Sequence, residues 1–177
     1  IDVFGANIDN DALWVDLGSP LRLREASVVV NTSVLLMIEQ GVDIIVPEDT
    51  FFEVWGELVA IGTDVAPVTF STETGAAGSW QGILIAIGAT PSEFQWVDIT
   101  GAGATSSVLS PNGAALTIRE MDTIVQNVTI ENSESYGIYY EPENCDAESP
   151  FGATYMNVTD CRVYCYPDYG TETCVLD

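Results

Sequence analysis

Pro67-Val-Thr-Phe, Trp96-Val-Asp-Ile, Asn127-Val-Thr-Ile and Asn157-Val-Thr-Asp are four versions of one short segment, and their spacing decides the fold. Aligned on the valines Val68, Val97, Val128 and Val158, they recur at an almost even interval. A near-constant period of about 30 residues, with three short strands per turn, predicts a β-solenoid, because each coil can bury its inward side chains only by stacking on the next. The fourth copy carries Asp160 where Phe70, Ile99 and Ile130 stand, which predicts a distorted last coil. A β-sandwich with regularly spaced turns is the alternative.

Outward from these segments the same character continues. Strand-like alternation runs through Leu21-Arg-Leu-Arg-Glu, Phe52-Glu-Val-Trp-Gly-Glu-Leu and Leu116-Thr-Ile, each bounded by Gly, Pro, Asn or Ser. No long window repeats apolar residues at helical spacing, and 15 Gly with eight Pro punctuate the 177 residues. The expectation is one all-β domain.

Gly41-Val-Asp-Ile-Ile-Val-Pro-Glu-Asp-Thr, Gly56-Glu-Leu-Val-Ala-Ile-Gly-Thr, Gly78-Ser-Trp-Gln-Gly-Ile-Leu-Ile and Val128-Thr-Ile-Glu-Asn-Ser-Glu-Ser-Tyr-Gly-Ile carry a family resemblance. From Gly41 to about Tyr140 the chain resembles secreted bacterial proteins with the pectin-lyase-like fold. The resemblance implies a single-stranded, right-handed parallel β-helix; the handedness comes from it alone. Residues 1–20 are then a leading segment or cap, 21–142 the coils, and 143–177 a Cys-rich last coil or cap. That architecture hosts lyases, hydrolases, adhesins and surface-layer parts, so it implies a fold and leaves the function to specific residues.

Charge narrows the partners. Against 27 Asp and Glu stand four Arg (Arg22, Arg24, Arg119, Arg162), with no Lys and no His, for a net charge of −23. Nucleic acid and anionic lipid need basic patches that four scattered guanidiniums cannot supply. Hydrophobic residues make up 47%, too many for an acidic disordered tail. The longest apolar stretch, Ser27 to Ile38, is interrupted by Asn31, Thr32 and Ser33 and is too short to cross a bilayer. Beginning at Ile1 without a basic leader, the chain reads as a mature or trimmed product.

Cys145, Cys161, Cys165 and Cys174 crowd together near the C-terminal end of the chain, which predicts an oxidised, extracellular, disulfide-stapled segment. Zinc is the rival reading, but there is no Cys-x-x-Cys knuckle and no His. Cys161-Arg-Val-Tyr-Cys165 alternates like a strand, whose four steps span about 13 Å, beyond the roughly 7 Å limit for bridged Cα atoms. Cys161 and Cys165 therefore do not pair with each other, leaving Cys145 with one of them and Cys174 with the other. Sequons at Asn31, Asn127 and Asn157 fit the same compartment as glycosylation candidates.

For chemistry, the resemblance implies two enzymatic schemes. A lyase needs an Arg or Lys base above calcium, for which only Arg119 and Arg162 lie outside the N-terminal strand. A hydrolase needs two close carboxylates, for which Asp98, Glu131 and Glu134 are candidates, without the family's paired Asp-Asp or Gly-His-Gly. The expectation is therefore no enzyme and no required cofactor. Glu141, Glu143, Asp146 and Glu148 form a candidate calcium loop, since calcium takes six to eight oxygen ligands. Thr69, Thr129 and Thr159 make an outward threonine row broken by Asp98, too irregular for an ice-binding face.

Solenoid ends leave strand edges that must be capped or docked, and Arg22 and Arg24 alternate on an early strand where they could hold an acidic neighbouring copy or pair locally. The leading expectation is an extracellular structural subunit of a filament, surface layer or adhesin stalk, with itself or another extracellular protein as partner. Carbohydrate binding through Trp14, Trp55, Trp80, Trp96 and the Tyr-rich tail is the second reading, and a polysaccharide-active enzyme the third.

Overall fold

The computed structural model describes residues 1–4, 7–24, 27–104, 113–120 and 122–140, and these are all strand, turn and loop, without a helix. Every named strand pair is parallel. The chain visits three stacks of strands in a fixed order. The first holds β1 (Asp2–Phe4), β4 (Leu21–Arg24), β7 (Asp43–Ile45) and β10 (Val68–Ser71). The second holds β2 (Asn7–Ile8), β5 (Val28–Val30), β8 (Phe51–Val54), β11 (Gly82–Ile85), β13 (Ala114–Ile118) and β15 (Tyr136–Tyr140). The third holds β3 (Ala12–Trp14), β6 (Leu35–Ile38) and β9 (Glu57–Ile61).

Two longer strands join the third stack to the first. β12 (Glu93–Thr100) pairs with β9 through Glu93, Phe94 and Gln95 and with β10 through Val97, Asp98 and Ile99. β14 (Ile124–Glu131) lies on β12 along nearly its whole length. The first and third stacks are thus one nine-stranded, strongly curled parallel sheet.

The bend has a local cause. Inward positions in a strand are two apart, yet in β12 the buried Phe94 and Val97 are three apart, as are the buried Val125 and Val128 in β14. The extra residue is Trp96 (φ 52°) or Asn127 (φ 51°), held in the left-handed region, which turns the chain and resets the alternation. Asn tolerates that conformation better than most residues. In the rung below, Gly62 fills the corner, and a β-carbon there would collide with the Trp96 carbonyl oxygen.

The register places Val68, Val97 and Val128 in one inward row and Phe70, Ile99 and Ile130 in the next, as the sequence alignment of those three copies requires. The fourth copy, with Asp160, lies outside the described residues. Along the first stack the pairing interval grows, since Asp2 faces Arg22, Leu21 faces Ile44, Asp43 faces Thr69 and Val97 faces Val128, whereas at the end of the second stack Leu116 faces Ile138 across a short rung again. The result is a parallel, solenoid-like stack compatible with a β-solenoid. Residues 2–14 supply one strand to each stack.

Inside, the stacks close on a continuous apolar column, each buried aliphatic side chain stabilising by roughly 1.5–3 kcal/mol. At its centre Phe52 meets Phe70 edge-on at 5.3 Å between ring centroids, Trp14 at 6.3 Å and Trp80 at 6.4 Å. Trp80 keeps its polar edge satisfied by donating from Nε1 to the Thr100 carbonyl, 3.0 Å away.

Candidate functional site

The outer faces of the stacks are where function can reside. On the first stack, Asp43, Thr69, Asp98 and Thr129 stand in one outward row, each half-buried. The threonine row broken by Asp98 is therefore real as a register for Thr69 and Thr129, while Thr159 lies outside the described residues. Glu131 sits two residues beyond Thr129, diagonal to Asp98, with about 8 Å between their backbones from ordinary strand spacings. Glu134 is elsewhere, past the end of β14 and over Gly78, where a β-carbon would meet its Oε2 at 2.5 Å. Of the three candidate carboxylates, two are neighbours on one face and the third turns the next corner.

Burial pushes the Asp43 carboxyl above its ordinary value, an effect opposed in part by the nearby Arg22 guanidinium. Arg22 forms its ion pair with Glu73, and Arg24 donates from Nε to Asp2 Oδ1 at 2.9 Å. Both proposed gripping arginines are thus engaged within the chain. Pairs as exposed as these contribute about 0–1 kcal/mol. Arg119 directly follows β13, and its backbone N–H donates to the Ile85 carbonyl; Arg162 lies outside the described residues.

The tryptophans separate. Trp80 is fully buried and Trp14 packs against the core, whereas Trp55 is 42% and Trp96 36% exposed. Trp55 stands between the second and third stacks and Trp96 between the third and first, so the two rings belong to different corners. Among the sequons, Asn31 is half-buried and its Nδ2 donates to Asp9 Oδ1. Asn127 is half-buried at the bend of β14, with a left-handed backbone that asparagine tolerates. Asn157, the four cysteines and the acidic run Glu141, Glu143, Asp146 and Glu148 lie outside the described residues. Among the described residues no cluster of three or more potential metal-ligating side chains occurs, and no helix is long and apolar enough to cross a membrane.

The third stack carries a feature that the sequence expectations do not contain. On its outer face Leu13, Met37 and Val59 stand in register, with Ile61 two residues beyond Val59. Leu13 is 54%, Met37 38% and Ile61 39% exposed, whereas Val59 is 9%. The available signal was the unbroken apolar runs Leu35-Leu-Met-Ile38 and Leu58-Val-Ala-Ile61, where a strand with one wet face should alternate. The second stack differs: its outward Leu84, Thr117 and Tyr139 are nearly inaccessible, so β11, β13 and β15 are covered on both sides.

No protein-family model, curated protein or solved structure matches this chain.

Proposed function

We propose that this chain is a single-stranded, right-handed parallel β-helix of the pectin-lyase-like kind, serving as a non-enzymatic structural subunit of an extracellular filament, surface layer or adhesin stalk. The observation that supports it is the end of the stack: among the described residues β1, β2 and β3 each have a partner strand on one side only. A strand edge of this kind takes a further rung by the same parallel pairing that joins the rungs already present. Repeated head-to-tail contacts between such edges build open filaments, because no symmetry closes them.

Secretion is supported by the four clustered cysteines and the sequons, with the cysteines as disulfide staples and the acidic run after Tyr140 as a calcium loop. Negative-stain electron microscopy and sedimentation velocity of the untagged protein over a range of concentrations test the assembly. Filaments with an axial repeat of a few rungs are expected. Dispersed monomers at every concentration, with and without calcium, overturn self-assembly. Carbohydrate binding is the second reading, favoured by the exposure of Trp55 and Trp96; it requires hits on a glycan array that a structural subunit does not give.

A further inference from the structure

The ridge on the third stack combines three features. Leu13 and Met37 stand exposed on successive rungs, and on the third rung Val59 continues the row nearly buried while Ile61 beside it is exposed. Ile61 faces Gln95, the residue before Trp96, so the ridge ends on an exposed indole. Trp96 holds a left-handed backbone (φ 52°), which a bulky side chain adopts only at a cost, at a surface position that glycine would fill without it.

Carboxylates edge this ridge. Asp11 precedes Leu13 by two residues, Glu39 follows Met37 by two, Glu57 precedes Val59 by two, and Glu93 faces Val59 in the next rung. An occupant therefore meets an apolar strip between negative borders. A second copy of this chain is a poor one, since it brings a net charge of −23, has four Arg as its only basic side chains, and holds Arg22 and Arg24 in ion pairs of its own.

We propose that the outer face of the third stack docks another protein through a cationic amphipathic segment, its apolar side on Leu13, Met37, Ile61 and Trp96 and its Lys or Arg side chains on the flanking carboxylates. Three rungs at about 4.8 Å apart match the width of one helix, about 10–12 Å. Such docking is lateral, so it stands or falls independently of end-to-end assembly. Aromatic anchors within an apolar strip are the usual centres of binding energy, and charged rims add steering and selectivity.

Fluorescence anisotropy with the full chain tests it, using a labelled amphipathic Leu/Lys peptide of about 14 residues, near the length at which helices begin to persist in water, and a Leu/Glu peptide of the same pattern. The Leu/Lys peptide is expected to bind and the Leu/Glu peptide not to. Replacing Leu13→Ser and Met37→Ser together is expected to weaken binding at least about tenfold. Phe4→Ser, on the first stack and 73% exposed, leaves it unchanged. All three positions are exposed, and circular dichroism verifies that the variants stay folded. Equal affinity of the wild type and the double variant, lost alike at about 0.5 M salt, overturns the proposal in favour of diffuse charge attraction. Self-association of the wild type that the double variant abolishes overturns it in favour of a second copy.

Discussion

Phe52→Ala is the sharpest test of how the stacks are held together. Phe52 is inaccessible to solvent and its ring meets Trp14, Phe70 and Trp80 at 6.3, 5.3 and 6.4 Å, so one side chain from the second stack touches residues of the other two and of the corner before β11. Truncating a buried Phe costs about 3–5 kcal/mol through lost transfer energy and the cavity left behind. Edge-on ring pairs add about 0.5–1.5 kcal/mol each beyond burial, which places the expected loss in the upper half of that range. Against a typical domain stability of about 5–15 kcal/mol this is severe.

Urea titration followed in parallel by tryptophan fluorescence and far-ultraviolet circular dichroism measures it and reveals any loss of cooperativity, because stacked rungs are coupled to their neighbours. Phe4→Ala, at a residue 73% exposed, should stay within about 0.5 kcal/mol of wild type. A Phe52→Ala cost below about 1 kcal/mol, indistinguishable from that control, would refute the claim that these rings are the packed junction of the three stacks.

Asp43, Tyr140 and Asn127 each carry a further expectation. Burial raises the Asp43 carboxyl, so its charged form destabilises the fold: stability is greatest below the unfolded carboxyl value and falls as pH rises through the raised one. Asp43→Asn is therefore expected to be the more stable protein near pH 7, with the advantage fading in acid; a wild type more stable near neutrality in urea melts would mean that Arg22 outweighs burial. Tyr140 is pushed up to about 12, first by burial and then by the Asp122 and Glu120 carboxylates, so the stability it confers is present below about pH 10 and disappears as pH approaches 12. Ultraviolet difference titration should show one phenol ionising late and together with unfolding, an effect absent in Tyr140→Phe. Asn127→Ala should cost about 1 kcal/mol at a φ of 51°, while Asn127→Gly stays close to wild type. Both remove the sequon, so equal melting temperatures would show that the bend does not select the residue.

Much of the architecture was legible because period and alternation are direct consequences of stacking. Val68, Val97 and Val128 could be aligned from the sequence since each must point inward at the same place in its rung. The shorter rungs were hidden: the steps from Asp2 to Arg22 and from Leu21 to Ile44 are both shorter than that from Val97 to Val128, and no single period contains all three. The bends were hidden as well, because Trp96 gives no sign in its chemistry of a left-handed backbone, although the Phe-x-x-Val spacing at Phe94 and Val97 marks the reset. As for candidate sites, sequence distance said nothing about corners. Trp55 and Trp96 look alike on paper and end on different edges, and Glu134 leaves the face that Asp98 and Glu131 share.

The variation in rung length is concentrated at one place. Between the first and second stacks the connection grows from 46–50 after β7 to 72–81 after β10 and 101–113 after β12, then shrinks to 132–135 after β14. Part of this corner is tied by its own hydrogen bonds: Gly75 N–H donates to Thr72 Oγ1 at 2.9 Å, Asn132 Nδ2 to the Gly75 carbonyl at 3.2 Å, and Ser79 Oγ to the Ala76 carbonyl at 2.7 Å. The strand stacks meanwhile keep the same inward rows from rung to rung. In the proposed end-to-end assembly, a joint between copies would therefore be matched along the strands whatever the length of this corner. Backbone pairing along the strands can hold such a joint without help from the corner. Substitutions in the corner should thus leave assembly intact where blocking β1, β2 or β3 abolishes it, and the reverse result would move the contact from the strand edges to the loops.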